Sequence, residues 1–496
     1  MTLAALLEAG AGGRAALRVP GGPTLTYDAL RQASSELARQ LAAEGVRAGD
    51  LVAASYPNGF ETVVALFGVA AACAGYAPLN MAYTEEEFRF YLEDIRPKLL
   101  LLMPGRAPAA RAAAAALRIP VLDVWFEGDR LQRSAAPGPS PYGATEPASD
   151  DDVALFLHTS GTTSRPKGVP LTHRNLTASA SNIKRWYDLN SGDVSYCVMP
   201  LFHVHGLVFS TLAHLVAGAV VVIPERFSAS AFWPHVREYG ATVVSAVPTI
   251  YRSLLASADS PSEFAGHALR FMRSSSAPLP ASMMQRLETV FGIPVIEAYS
   301  MTEASHQMTA SPLQGERRPG SVGVGAFVDV TILDEHGARC SPGIVGEVAV
   351  RGPNVTRGYH NNPAANAEAF CAGWFRTGDW GRLSDDGYLT LVGRLKELIN
   401  RAGEKISPVE IDDALLSHPG VSEAVSFSVP DEKYGEVVGA ALVLKEGTAV
   451  DDVLAHARSR LAAFKVPTAV YVVESIPRTA TGKVQRRAVA TAVASR

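Results

Sequence analysis

The sequence predicts an α/β protein with a large N-terminal domain of several α/β subdomains and a small C-terminal α+β domain. Three observations predict it. Helical apolar stripes alternate with short Val, Ile and Ala runs through about the first four hundred residues, the pattern of helices packed on largely parallel sheets. The alternation breaks near Gly393, and a different order of strands and helices follows. A chain of 496 residues is also too long for one ordinary hydrophobic core.

The first unit is clear at Thr26 to Leu41, where apolar residues fall at 29, 30, 33, 37, 38 and 41. That spacing makes one helix face, Gly45 ends it, and LVAAS reads as the next strand. The same alternation recurs in ALRIPVLDVWF, AVVVIP, FWPHVREYGATVVSAVP and MMQRLETVFGIPVIEAYS. Arg133 to Asp150 is rich in Pro, Ser and Gly and is expected to be an exposed loop. The longest apolar stretches, Thr62 to Leu79 and Leu207 to Ile223, are broken by Gly, Cys, Pro or His214. They read as buried α/β elements, and no membrane partner is expected.

The boundary is placed at residue 395, with 1–395 as the large domain and 396–496 as the small one. In the small domain Ser407 is positioned to cap a helix, Pro408 suits its first position, and Glu410 would complete a capping box. AVSFSV, VVGAALVL and AVYVVE then read as short strands, with a helix at VLAHARSRLAAF. PRTATGKVQRR reads as a polar, mobile tail.

The formal charge of −4 and pI near 6.3, with no Lys/Arg block, exclude an evident polyanion-binding surface, so no nucleic-acid partner is expected. Cys73, Cys197, Cys340 and Cys371 lie far apart, without metal or redox spacing. A reducing compartment follows. The N-terminus lacks the basic region of a secretion signal, and Ala494, Ser495 and Arg496 lack the final aliphatic residue of an SKL-type address. The cytoplasm is expected.

Chemistry concentrates in Leu157 to Gly168, LHTSGTTSRPKG, where an apolar strand runs into Thr159, Ser160, Gly161, Thr162, Thr163 and Ser164 before Lys167. Glycine lets backbone approach phosphate oxygens, hydroxyls and amides donate, and lysine supplies charge. A solvated Ser/Thr loop is the plain alternative. The segment is not Walker A, because Lys167 is followed by Gly168 where that motif requires Ser or Thr.

TSGTTSRPKG resembles the signature loop of the adenylate-forming superfamily, which includes acyl-CoA synthetases, luciferases and peptide-synthetase adenylation domains. EAYSMTE, WFRTGD, GRLKELI and TATGKVQRR are similar to that family's later motifs and occur in its order. The resemblance implies ATP-dependent activation of a carboxylic acid as its adenylate, then transfer to CoA, with a magnesium ion assisting. By it, Ser160, Gly161, Thr162, Thr163 and Lys167 hold the β- and γ-phosphates, Thr302 the α-phosphate, and Glu303 magnesium. Ala298 and Tyr299 line the adenine, while Asp379 and Arg394 hold the ribose. Lys483 reaches the carboxylate and α-phosphate, and Lys396 is a hinge about which the small domain swings. Gly403 lines the pantetheine path, with Lys405 near a CoA phosphate.

Segments that the resemblance sets beside the acyl site are polar: PLFHVHGL, RSSSAPL and TEASHQM. With KELINRAGEKISP and LAAFKVP they resemble the oxalate:CoA ligase branch, so His203, Ser276 and His306 are assigned to the carboxylate that is not activated. A ligase for another small or medium-chain acid is the alternative. His158, His173 and His205 are read as structural.

Overall fold

A computed structural model describes residues 2–134, 148–159, 166–258, 264–402, 404–479 and 484–494. Among them the strands form four sheets. The first has seven strands, in the order Arg130–Arg133, Val121–Glu127, Leu99–Leu102, Leu51–Ala54, Gly75–Pro78, Val153–His158 and Gly168–Thr172. Its inner pairings are parallel and its two ends antiparallel. The second has nine strands; Val220–Val222, Val194–Tyr196, Val243–Ala246, Phe271–Ser274 and Val295–Met301 run parallel through its middle. The expected α/β class is therefore what forms.

Local signals act where expected. Thr26 Oγ1 accepts from the Ala29 amide at 3.1 Å, and the helix Tyr27–Ala43 buries Leu30, Ala33, Leu37 and Leu41. The apolar stretch from Thr62 is the buried part of the helix Phe60–Ala71, followed by the strand Gly75–Pro78. The stretch from Leu207 is a π-helical run, His205–Leu212, then a short helix and the strand Val220–Val222, all buried. Side chains such as Phe67 and Phe209 each contribute about 1.5–3 kcal/mol by leaving water. Among the described residues no helix is long and apolar enough to cross a membrane. Most of the Arg133 to Asp150 loop lies outside the described residues.

Two antiparallel-rich sheets follow. One joins Asp329–Leu333, Gly346–Arg351, Trp374–Leu383, Phe370–Cys371 and Leu389–Arg394. The other joins Glu404–Ile406, Ile399–Arg401, Gly435–Leu444, Val421–Asp431 and Ala469–Val472, with the helices Pro408–Leu416 and Val450–Arg458. The strands at 421 and 435 are 11 and 10 residues long, not short. Ser407 does cap its helix, its Oγ accepting from the Glu410 amide at 3.3 Å. The capping box is not completed, because both Glu410 oxygens take Lys465 Nζ at 2.7 Å, a charge-assisted partner stronger than a backbone amide. Residues 480–483 of the polar tail lie outside the described residues, and its last two, Arg486 and Arg487, open a helix. Arg486–Ala494 is a helix whose Val489 and Val493, four apart, join the cluster of Val425, Phe427 and Ala441.

Candidate active site

A cavity of about 1250 Å³ is lined by the nine-stranded sheet, the Trp374–Leu383 sheet and the C-terminal unit. The strand Val295–Met301 runs along it, bringing Glu297, Ala298 and Tyr299 to the wall. The chain then turns through Thr302–Ala304, with Ser305 at φ +50° and His306 at +102°. Positive φ is rare for a residue as bulky as histidine and must be held by its surroundings.

At one end of the cavity lies Asp379, with Gly378 before it at φ +74°. Cross-strand register sets Arg394 opposite Asp379, and Arg394 Nε reaches Asp379 Oδ1 at 3.1 Å. The Tyr299 hydroxyl donates to the other oxygen. Burial, reinforced by the Asp379 charge, holds the Tyr299 hydroxyl well above the usual phenol range, so it stays a donor. Asp379 in turn raises the Arg394 guanidinium. Glu347 braces the turn, accepting from the Gly378 amide at 3.0 Å and Arg376 Nε at 2.7 Å.

Further along the wall Glu303 is only 7% exposed, and Tyr359 Oη donates to its Oε1 at 2.9 Å. Lys167 Nζ stands 4.5 Å from the centre of the Tyr359 ring. Lys167 also stands just before the strand Gly168–Thr172, and its carbonyl accepts from the Thr159 amide at 3.0 Å. Thr302, Glu303, Lys167 and Tyr359 thus share one stretch of cavity with Thr159. Ser160, Gly161, Thr162, Thr163, Gly403 and Lys483 lie outside the described residues.

His203 and Ser276 line a third part of the cavity, and Ser276 adopts φ +70°. The His205 amide donates to His203 Nδ1 at 3.2 Å. His205, read as structural from sequence, is fully buried behind this wall: its Nδ1 lies 3.1 Å from Ser276 Oγ and its Nε2 lies 2.6 Å from Ser245 Oγ. The wall needs Gly206, since a Cβ there would fall 2.4 Å from the Pro200 carbonyl oxygen. His306 is fully buried behind His205, with ring centres 4.9 Å apart. It supports the wall and does not line the cavity.

The C-terminal unit closes the opposite side. Arg252 Nη1 donates to the Ser422 carbonyl at 3.1 Å and lies 3.4 Å from Glu423. Lys396 lines the cavity in the turn Leu395–Glu397, and Arg486 pairs with Asp412 at 2.6 Å and Glu397 at 3.4 Å. Lys405 Nζ stands 4.3 Å from the Trp380 ring centre. Two carboxyls face each other across this seam. Burial pushes Glu297 up to about 8, with Asp413 adding to it, and burial with Asp412 nearby pushes Asp413 up to about 7.

Residues 8–360 match the model of the AMP-binding enzyme family, and residues 410–483 match the AMP-binding enzyme C-terminal domain. The chain belongs to the AMP-binding enzymes. It is 50% identical over 491 residues to an oxalate–CoA ligase of Arabidopsis thaliana, covering 96% of this chain and 95% of that one. An oxalate–CoA ligase of Saccharomyces cerevisiae is 43% identical over 471 residues, covering 89% and 86%. The ATP-bound crystal structure of MatB from Rhodopseudomonas palustris superposes with a TM-score of 0.90 at 31% identity, covering 99% of each chain.

Sequence reasoning did not single out Tyr359, Glu297, Asp413 or Arg273. Only Arg273 carried a usable signal. It is a charged residue in the strand Phe271–Ser274, directly after the apolar pair Phe271 and Met272.

Proposed function

We propose that this AMP-binding enzyme is an oxalate:CoA ligase, forming oxalyl-AMP and pyrophosphate from oxalate and ATP, then oxalyl-CoA and AMP. The observation that carries the reading is the hydrogen-bonding wall of His203 and Ser276, backed by the buried His205 and set in the same cavity as Asp379 and Glu303. Oxalate keeps a charged carboxylate beside the reacting carbonyl, and such a group needs donors and not apolar surface. His203 accepts on Nδ1 from the His205 amide, which leaves Nε2–H as its donor nitrogen. His203 and Ser276 hold the distal carboxylate, with His306 steadying the wall behind them.

Adenylate formation displaces pyrophosphate by attack of a substrate carboxylate oxygen on the α-phosphorus, so the protein acts by positioning and neutralising charge. Asp379 and Arg394 hold the ribose, and Ala298 and Tyr299 bound the adenine. Thr302 donates to the α-phosphate; Ser160 to Thr163 and Lys167 hold the outer phosphates. Lys483 brings its charge to the carboxylate and α-phosphate together. Glu303 fits a magnesium ion: it is a hard oxygen donor on the cavity wall, oriented by Tyr359. Magnesium typically uses one or two carboxylates and completes its shell with phosphates and water, and when bound it would neutralise triphosphate charge.

Residues 1–395 and 396–496 act as two domains with the hinge at Lys396. Rotation there withdraws Lys483 and brings Gly403 to the pantetheine path, with Lys405 nearer the CoA phosphates. All four cysteines are free thiols, which supports a reducing, cytoplasmic setting. The test is AMP release from ATP over a panel of acids with CoA present. Oxalate is expected to lead the panel; preference for malonate, acetate or a longer acid would replace the substrate assignment.

A further inference from the structure

Behind the acyl wall lies a charge that the proposed reaction does not use. Arg273 is 0% exposed, and no carboxylate among the described residues pairs with it. Its guanidinium donates to Tyr187 Oη at 3.0 Å, Gln307 Oε1 at 3.1 Å and Ser245 Oγ at 3.1 Å, and sits 4.3 Å from the Phe209 ring centre. A fully buried cation without an anion is costly and needs a reason.

Its hydrogen bonds supply one. A guanidinium can only donate, so Ser245 Oγ accepts from Arg273. Ser245 then turns its own proton to His205 Nε2, 2.6 Å away. That makes Nε2 the acceptor and places the imidazole proton on Nδ1, which donates to Ser276 Oγ at 3.1 Å. Ser276 is left with its hydroxyl proton for a ligand in the cavity. The opposite polarity would put two donors on Ser245 Oγ and strand the serine proton in a buried site.

We propose that Arg273 is a specificity-determining positioning residue: through Ser245 and His205 it fixes Ser276 as a donor, and so selects acids with a second anionic group. Arg273 touches no substrate itself. The inference rests on the oxalate reading of the acyl wall, and the two fail separately. Wild-type protein that does not turn over oxalate refutes that reading, whereas oxalate turnover indifferent to Arg273 refutes this inference alone.

The test is steady-state kinetics of Arg273→Gln, Arg273→Lys and Ser245→Ala in the full chain, each with a thermal melt. Arg273→Gln and Ser245→Ala are expected to raise KM for oxalate about tenfold or more, leaving KM for ATP within about twofold. Arg273→Lys, also a pure donor, recovers most of the loss. Adding Ser276→Ala to Arg273→Gln is expected to cost little more than Arg273→Gln alone, because both act through one hydroxyl. A purely structural arginine would instead lower the melting temperature and shift both KM values together. If Arg273→Gln does not fold, Ser245→Ala decides, since it cuts the chain and leaves the charge. An oxalate KM within about twofold of wild type in a folded Arg273→Gln or Ser245→Ala variant overturns the proposal.

Discussion

Replacing Asp379 with alanine probes the proposed ribose site most sharply. Asp379 is 7% exposed and already accepts from Tyr299 and, at 3.1 Å, from Arg394, so its carboxylate is fixed in one orientation. If the two ribose hydroxyls also donate to it, Asp379→Ala removes two charge-assisted hydrogen bonds of about 1.5–3 kcal/mol each. Water entering the gap and the neighbouring Arg394 recover part of that, leaving about 3 kcal/mol, or roughly a hundredfold, in kcat/KM for ATP. Pyrophosphate release at saturating acid gives the number, and the acid KM should stay within about threefold. The buried Tyr299 hydroxyl loses its acceptor, so rates belong well below a melting point expected to fall by a few degrees, in line with about 1–3 kcal/mol. A loss below about threefold in kcat/KM for ATP would refute the ribose assignment.

Other perturbations probe the remaining parts of the cavity. Tyr359→Phe deletes the 2.9 Å bond that orients Glu303 and should raise the free magnesium needed for half-maximal rate by about tenfold, read from rate against magnesium at fixed ATP. His306→Ala opens space behind His205 and should raise KM for oxalate far more than KM for ATP; unchanged oxalate kinetics would remove His306 from the acyl site. Glu297 titrates near 8 against an ordinary 4.5, so between those values the native state keeps a proton that the unfolded chain has lost. That stabilisation is complete below about 4.5 and is lost as pH rises toward 8. Glu297→Gln should therefore flatten the fall in stability between pH 6 and 8 by about 1–2 kcal/mol, measured by denaturant titration at each pH.

The parallel α/β layers were legible because helix stripes and β-branched runs carry their periods locally, as Tyr27–Ala43 and Val295–Met301 do. Asp379 and Glu303, which line the cavity, stood out in the sequence because each sits in a short contiguous motif, whereas Ser160 to Thr163 lie outside the described residues. What escaped depends on residues far apart in the chain. His205 meets its partners only when the strand Val243–Ala246 brings Ser245 and the bend after Phe271–Ser274 brings Ser276, and Tyr359 only when its loop crosses Glu303. Glu410 had a local partner in Ser407, and a distant lysine, Lys465, outcompeted that partner's amide. The C-terminal helix was not picked out because it is short, buries only Val489 and Val493 among small alanines, and follows directly on the polar segment Pro477 to Arg487.

The central claim is that this AMP-binding enzyme joins oxalate to CoA through an adenylate. Purified protein incubated with oxalate, ATP, magnesium and CoA tests it directly, with nucleotides and thioesters followed by mass spectrometry. AMP and oxalyl-CoA should form in equal amounts, and neither should accumulate when oxalate is omitted. ATP consumption with no oxalyl thioester, or thioester formed from another acid in preference to oxalate, would contradict the account.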